Sequence, residues 1–250
     1  MAQNPDFYVT PTSGVLELVF GARANYTNSP EFKAQDNEHM KMAFKAFCRD
    51  GVFGFFNALT NDKYVLDKSR GWGYYRDFLD FFYPDPKIIC MIRDPRSIFS
   101  SMEKNYRKDP DRASSMTSDA EMRNITTEQR IDTWVNSQPV GLAFQRLYQI
   151  IKEERDRQIL FIKYEDLCKS PQREMGKIYK YLDIDEYTHD FAKVEQVTQE
   201  DDTVYGVYGD HKIKETVSYV DPDYKQILGI NTSNWIKNNY SWFYSYFKYL

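Results

Sequence analysis

Three short segments hold the residue types that could do chemistry, and each follows an apolar run. Arg93-Asp94-Pro95-Arg96 follows Lys87-Ile88-Ile89-Cys90-Met91-Ile92, and Ser100 and Ser101 lie a turn or two further on. Lys68-Ser69-Arg70 follows Tyr64-Val65-Leu66, and Tyr164-Glu165-Asp166-Leu167 follows Ile159-Leu160-Phe161-Ile162. An Arg at the point where a strand gives way to a helix suits phosphate. Its planar fork matches phosphate oxygens, and the helix start adds unpaired N–H groups and a positive dipole end. A nearby hydroxyl adds one more donor. The bland alternative for Arg93 and Arg96 is pairing with a surface Asp. Lys68 and Arg70 suit an anion, against simple pairing with Asp67.

The residues around these segments must position them. A continuous apolar run such as 87–92 suits a parallel strand covered on both faces. Asp94-Pro95 ends it, and Ile98, Phe99 and Met102 begin a helix. Phe7–Thr10 could be a short strand, followed by a turn at Pro11–Gly14 and a helical pattern from Val15. Residues 25–37 read as polar loop. A helix, or two short ones, runs from Glu38, and another spans Tyr74 to Tyr83. Thr127 to about Arg155 reads as a long amphipathic helix that Pro139 should kink or split. Ser170-Pro171 opens a further helix with Pro in its first turn. Residues 107–126 read as a mobile loop and 185–222 as mostly loop. The tail, 235–250, reads as a docking helix whose aromatics pack into a core. Strands alternating with helices predict an α/β fold with a parallel sheet, and ligands bind such sheets at the carboxyl ends of the strands.

Composition narrows the function classes. Two hundred and fifty residues suffice for one sizeable core. The 33 basic and 37 acidic side chains leave a net charge of −4, against the basic excess of a general nucleic-acid binder. Eleven glycines fall well below the ~7 % of an average protein. None of them builds GxxxxGK[ST] or GxGxxG, so a standard Walker loop and a standard dinucleotide fingerprint are excluded. Three scattered cysteines, Cys48, Cys90 and Cys168, suit a reducing compartment rather than a disulfide framework or a zinc site. No signal peptide and no membrane span is read, so the expected location is cytoplasmic and no metal is expected.

Ile92 to Ser101 resembles the 3′-phosphate motif of sulfotransferases that use PAPS (3′-phosphoadenylyl sulfate). In that family an apolar strand ends in Arg-[Asn/Asp]-Pro-[Arg/Lys], with a Ser eight positions after the Arg, as Ser101 is after Arg93. The resemblance assigns Arg93 and Ser101 to the cofactor's 3′-phosphate, with Arg96 a further cofactor-binding candidate. Ile162-Lys163-Tyr164-Glu165-Asp166-Leu167 is similar to a second family segment and implies that Tyr164 contacts adenine. Val65 to Trp72 resembles the acceptor-side strand with its Lys-x-[His/Arg], which makes Lys68 and Arg70 candidate catalytic residues. Tyr205 to Lys212 looks like the late loop over the nucleotide, bringing in Lys212 and His211. The resemblance, taken in order along 1–250, implies one domain with a P-loop-like, three-layer architecture. Its central parallel sheet is flanked by helices.

The departures concern the 5′-phosphosulfate loop, Pro-[Lys/Arg]-[Ser/Ala]-Gly-[Thr/Ser] in the family. Either Pro11-Thr12-Ser13-Gly14-Val15 is a degenerate version, with Thr12 in the basic slot, or Met1–Pro5 ends the helix that follows a missing loop. The second reading is preferred, with the first strand and loop absent. Both leave the leaving-group position without a cation, so weak or no activity is expected. The general base is open. Arg70 cannot act as one. His39 reads as structural and His189 as solvated, and His211 is the remaining candidate. The expected function is sulfuryl transfer from PAPS to a small-molecule or carbohydrate acceptor. The alternatives are a non-catalytic PAP- or PAPS-binding protein and a P-loop-type nucleotide kinase. The acceptor and the oligomeric state are not legible.

Overall fold

The computed structural model describes residues 1–110, 122–201, 204 and 212–249. It has two compact units. One comprises Met1–Ile88 with Tyr187–His189, the other Ile89–Glu186 with Asp190–Leu250.

In the first unit, β1 (Phe7–Thr12) pairs in parallel with β2 (Tyr64–Lys68). Phe7, Tyr8 and Val9 stand opposite Tyr64, Val65 and Leu66, and after an irregularity Thr12 stands opposite Lys68. Pro11 lies inside that irregularity, and a residue without an N–H cannot extend a ladder. The chain turns at Gly14, whose φ of 71° is left-handed, and enters α1 (Val15–Asn28). The strand–turn–helix unit is therefore present. The preferred sequence reading, with Met1–Pro5 closing a helix, is corrected: residues 1–6 are turns leading into β1.

The polar stretch 25–37 is also corrected, because α1 continues to Asn28 and a short α2 (Pro30–Lys33) follows. Asn25, Thr27 and Asn28 donate back to the carbonyls of Gly21, Arg23 and Ala24, which satisfies their polar groups within the helix. Tyr26 stacks on Phe44 at 4.3 Å. The stretch from Glu38 is a single helix, α3 (Asn37–Asn57), capped by the Asp36 carboxylate, which accepts from the N–H groups of Glu38 and His39. With α4 (Arg76–Phe82), these helices close a core of Leu16, Val19, Phe44, Cys48, Phe78 and Phe82.

In the second unit, β3 (Ile88–Ile92) pairs with β4 (Ile159–Lys163). Asp94 caps α5 (Pro95–Lys108), with Pro95 in the first turn, where its missing N–H costs nothing. Pro139 separates α6 (Thr127–Asn136) from α7 (Val140–Lys152), as expected. Thr126 and Gln129 form a reciprocal capping box at the start of α6. After β4 come α8 (Tyr164–Lys169) and α9 (Pro171–Leu182).

The tail is two helices, α10 (Tyr224–Asn239), broken at Gly229, and α11 (Ser241–Phe247). Phe99, Ile131, Trp134, Ile236 and Phe243 form the centre of the core. Within the expected loop 107–126, residues 111–121 lie outside the described residues. The far end of that loop is anchored, because Met122 is buried and its carbonyl accepts from the Tyr106 hydroxyl at 3.0 Å. In the later stretch, Val194 donates to the carbonyl of Glu215 and Val217 to that of Phe191.

Candidate functional site

The second unit brings together the residues assigned to a 3′-phosphate and an adenine. Because β3 pairs with β4, their exits lie side by side. There the Arg93 guanidinium carbon sits 4.6 Å from the centroid of the Tyr164 ring, a cation–π contact. The two turns are stitched by Glu165, whose Oε1 accepts the backbone N–H of Asp94 at 3.0 Å. Ser101 is half-buried on α5. Beside it Ser100 is 3 % exposed, and its hydroxyl has no hydrogen-bond partner among the described residues.

Arg96 is engaged differently. Its Nη2 donates to Asp94 Oδ2 at 2.6 Å, and its backbone N–H donates to Oδ1 at 2.8 Å. The guanidinium lies 4.5 Å from the Tyr224 ring and 5.1 Å from the Tyr244 ring. The Tyr244 hydroxyl donates to Asp94 Oδ1 at 2.7 Å. Asp94 thus fills its acceptor positions with the cap, the salt bridge and a tyrosine. The Asp–Arg pair weighed from the sequence is real for Arg96, but it is buried rather than on the surface. Burial, and then Asp94, pushes the Tyr244 phenol far up, so it stays a neutral donor.

The first unit holds the other candidate groups. The Thr10 hydroxyl donates to Asp67 Oδ1 at 2.8 Å and accepts the Lys68 backbone N–H at 3.0 Å. The Trp72 indole N–H donates to Asp67 Oδ2 at 2.6 Å, and the Gly71 N–H donates to Ser69 Oγ at 3.1 Å. These bonds hold the segment 68–72 against the end of β1. Lys68 and Arg70 are exposed there. Across the ladder, the Val15 N–H donates to Ser13 Oγ at 3.2 Å. A Cβ on Gly14 would meet nothing within 4 Å, so that backbone is open to an approaching group. The sequence offered Asp67 only as an ion-pair partner for Lys68 or Arg70; its bonds to Thr10 and Trp72 show the brace instead.

The histidines separate. His39 is exposed, with Nδ1 3.2 Å from Asp36 Oδ2. His189 is not solvated, which corrects the expectation. It is 8 % exposed, Nδ1 lies 3.2 Å from Gln3 Oε1, and burial pushes its pKa down to about 4. His211 and the segment 205–211 lie outside the described residues, and Lys212 is exposed where the described chain resumes. Among the described residues no three His, Cys, Asp or Glu side chains gather as a metal-ligand set, and no helix is long and apolar enough to cross a membrane.

The mixed α/β fold thus carries Arg93 and Tyr164 at adjacent strand exits and Lys68 at the end of β2. A model of the sulfotransferase family matches residues 11–189, well over half of the chain. The chain belongs to the sulfotransferase family. The match opens at Pro11, near the end of β1, and takes in Lys68, Arg93, Ser101 and Tyr164; Lys212 and the two C-terminal helices lie beyond it. No curated protein matches the chain.

Proposed function

We propose that the protein transfers a sulfuryl group from PAPS to a hydroxyl or amine of a small-molecule or carbohydrate acceptor. The observation that carries this reading is the pairing of Arg93 with Tyr164 at adjacent strand exits. It supports Arg93 and Ser101 as donors to the 3′-phosphate and Tyr164 as a contact for adenine, with Lys212 a further cation from the late loop. The orphaned Ser100 hydroxyl is consistent with a ligand rich in acceptor oxygens. Arg96, committed to Asp94, supports the turn instead.

In the transfer the acceptor oxygen or nitrogen bonds to sulfur, and the bond from sulfur to the bridging oxygen breaks. PAP leaves with that electron pair, and the acceptor's proton passes to a base, for which His211 remains the proposed residue. Such a step needs cations placed against developing charge more than covalent work by the protein. Lys68 and Arg70 are the proposed cations, and Thr12 in the loop's basic slot makes the enzyme slow. Three free thiols support a reducing, cytoplasmic setting.

The test is PAP release from PAPS across a panel of sugars, phenols and alcohols. Slow, acceptor-dependent release is expected. Absence of both release and PAP binding would overturn the reading. A second reading, a PAP-binding protein without turnover, is favoured by Thr12 and predicts tight PAP binding with no product.

A further inference from the structure

The sequence reads the C-terminal aromatics as core packing, and Phe243 and Phe247 are indeed core. Two tyrosine hydroxyls of the same segment do something else. Tyr244 donates to Asp94 at 2.7 Å, and Tyr249 donates to Glu165 Oε2 at 2.7 Å. Those carboxylates each follow directly on a proposed nucleotide residue, Arg93 and Tyr164. The other oxygen of Glu165 takes the Asp94 N–H, so the four groups form one chain, Tyr249 to Glu165 to Asp94 to Tyr244. Lys163 fastens the same end, with its ammonium 4.6 Å from the Tyr249 ring centroid and 3.4 Å from the Lys248 carbonyl oxygen. Burial, and then the bond to Glu165, drives the Tyr249 phenol far up, so it too remains a donor.

We propose that Tyr249 and Tyr244 are positioning residues of the nucleotide site, holding Glu165 and Asp94 so that Arg93 and Tyr164 keep their mutual geometry. The inference rests on the reading of Arg93 as the 3′-phosphate ligand. A carboxylate with a fixed donor on each oxygen has no freedom to swing, and here it locks two turns that are 71 residues apart. Removing the Tyr249 hydroxyl frees one oxygen of Glu165 to turn toward Arg93, where it competes with phosphate. The loss falls on the 3′-phosphate and not on the rest of the nucleotide.

The experiment is calorimetric titration of PAP and of AMP, which lacks the 3′-phosphate, into the full chain and into Tyr249→Phe, Tyr244→Phe and Tyr246→Phe. The Tyr246 hydroxyl bonds Asp156 instead and serves as control. Stoichiometry counts the folded fraction, and Kd reports that fraction alone. The parent should prefer PAP over AMP. Tyr249→Phe and Tyr244→Phe should each cut that preference about tenfold, the scale of a hydrogen bond to a charged group. AMP affinity should stay within about twofold of the parent, and Tyr246→Phe should keep the parent's preference. An unchanged preference in both Tyr249→Phe and Tyr244→Phe overturns the proposal, as does an equal loss for PAP and AMP, which a merely structural role gives. A parent that does not prefer PAP overturns the underlying nucleotide reading, and that result is seen before any variant is made.

Discussion

Thr12 and Lys68 stand opposite each other at the ends of β1 and β2. Thr12 occupies the loop position where, by resemblance, the family carries Lys or Arg. Neighbouring strands lie ~4.8 Å apart, so the backbone of Lys68 runs beside that of Thr12. Lys68 is held there by its backbone bond to the buried Thr10 hydroxyl.

Lys68→Ala should therefore lower sulfuryl transfer by ~10²–10³, the typical loss for one electrostatic donor. Thr12→Lys should raise the rate, and the double variant should recover part of what Lys68→Ala loses. PAP release at saturating PAPS measures all three. A Lys68→Ala enzyme as fast as the parent would remove Lys68 from the transfer step.

Two glycines should respond differently to alanine. At Gly14 the added Cβ meets nothing, so only the left-handed backbone resists. The cost should be about 1–2 kcal/mol. At Gly141 the Cβ would fall 2.1 Å from the carbonyl oxygen of Val135. That forces a shift where α6 hands over to α7, at about 3 kcal/mol or more. Urea denaturation of both variants checks the order.

Glu103 is fully buried and accepts from Arg130 Nε at 2.9 Å, Arg130 Nη2 at 2.6 Å and Arg107 Nε at 2.8 Å. Glu103→Ala leaves Arg130 buried without its carboxylate and should cost about 3–5 kcal/mol. Burial works to raise the Glu103 pKa, and the two arginines outweigh it, holding it below the usual carboxylate range. A folded pKa lower than the unfolded one gives stability that is complete above the unfolded value. That stability is lost as pH falls through the folded one. Denaturation curves at pH 7 and pH 3 should show the gap between parent and Glu103→Ala narrowing in acid.

His189 predicts a second acid sensitivity, at higher pH. Its folded pKa of about 4 lies below its usual 6.5 because burial disfavours the charged ring. The unfolded chain therefore takes the proton first as pH falls. The stability from the neutral buried ring is full above 6.5 and is lost as pH falls from 6.5 toward 4. The melting temperature of the parent should drop more between pH 7 and pH 5 than that of His189→Gln. Equal drops would show that His189 does not titrate in that range.

Much of the second unit was legible because its signals are local. The apolar runs at 88–92 and 159–162 mark strands, and Pro139 marks the break between α6 and α7. Arg93 and Tyr164 fall at strand exits by simple counting, and Ser101 on the helix that follows the first. What escaped is non-local. Tyr244 reaches Asp94 across 150 residues and Tyr249 reaches Glu165 across 84. Thr10 reaches Asp67 across 57, and no periodicity encodes such partners. Residues 25–28 were misread because hydropathy cannot see polar side chains bonding back into their own helix. The sequence leaves Pro11–Val15 as a degenerate loop behind the missing-loop alternative, and Pro11 and Thr12 lie in β1. What the structure adds is that residues 1–6 form no helix and that the left-handed Gly14 lies between a strand and a helix.

The central claim is that Arg93 anchors a nucleotide by its 3′-phosphate. Calorimetric titration of PAP into the parent and Arg93→Ala tests it most directly. The account predicts that the parent binds PAP more tightly than AMP. Arg93→Ala should lose most of that preference, about 10–100-fold, while melting near the parent temperature. A folded Arg93→Ala protein that binds PAP as tightly as the parent would contradict it.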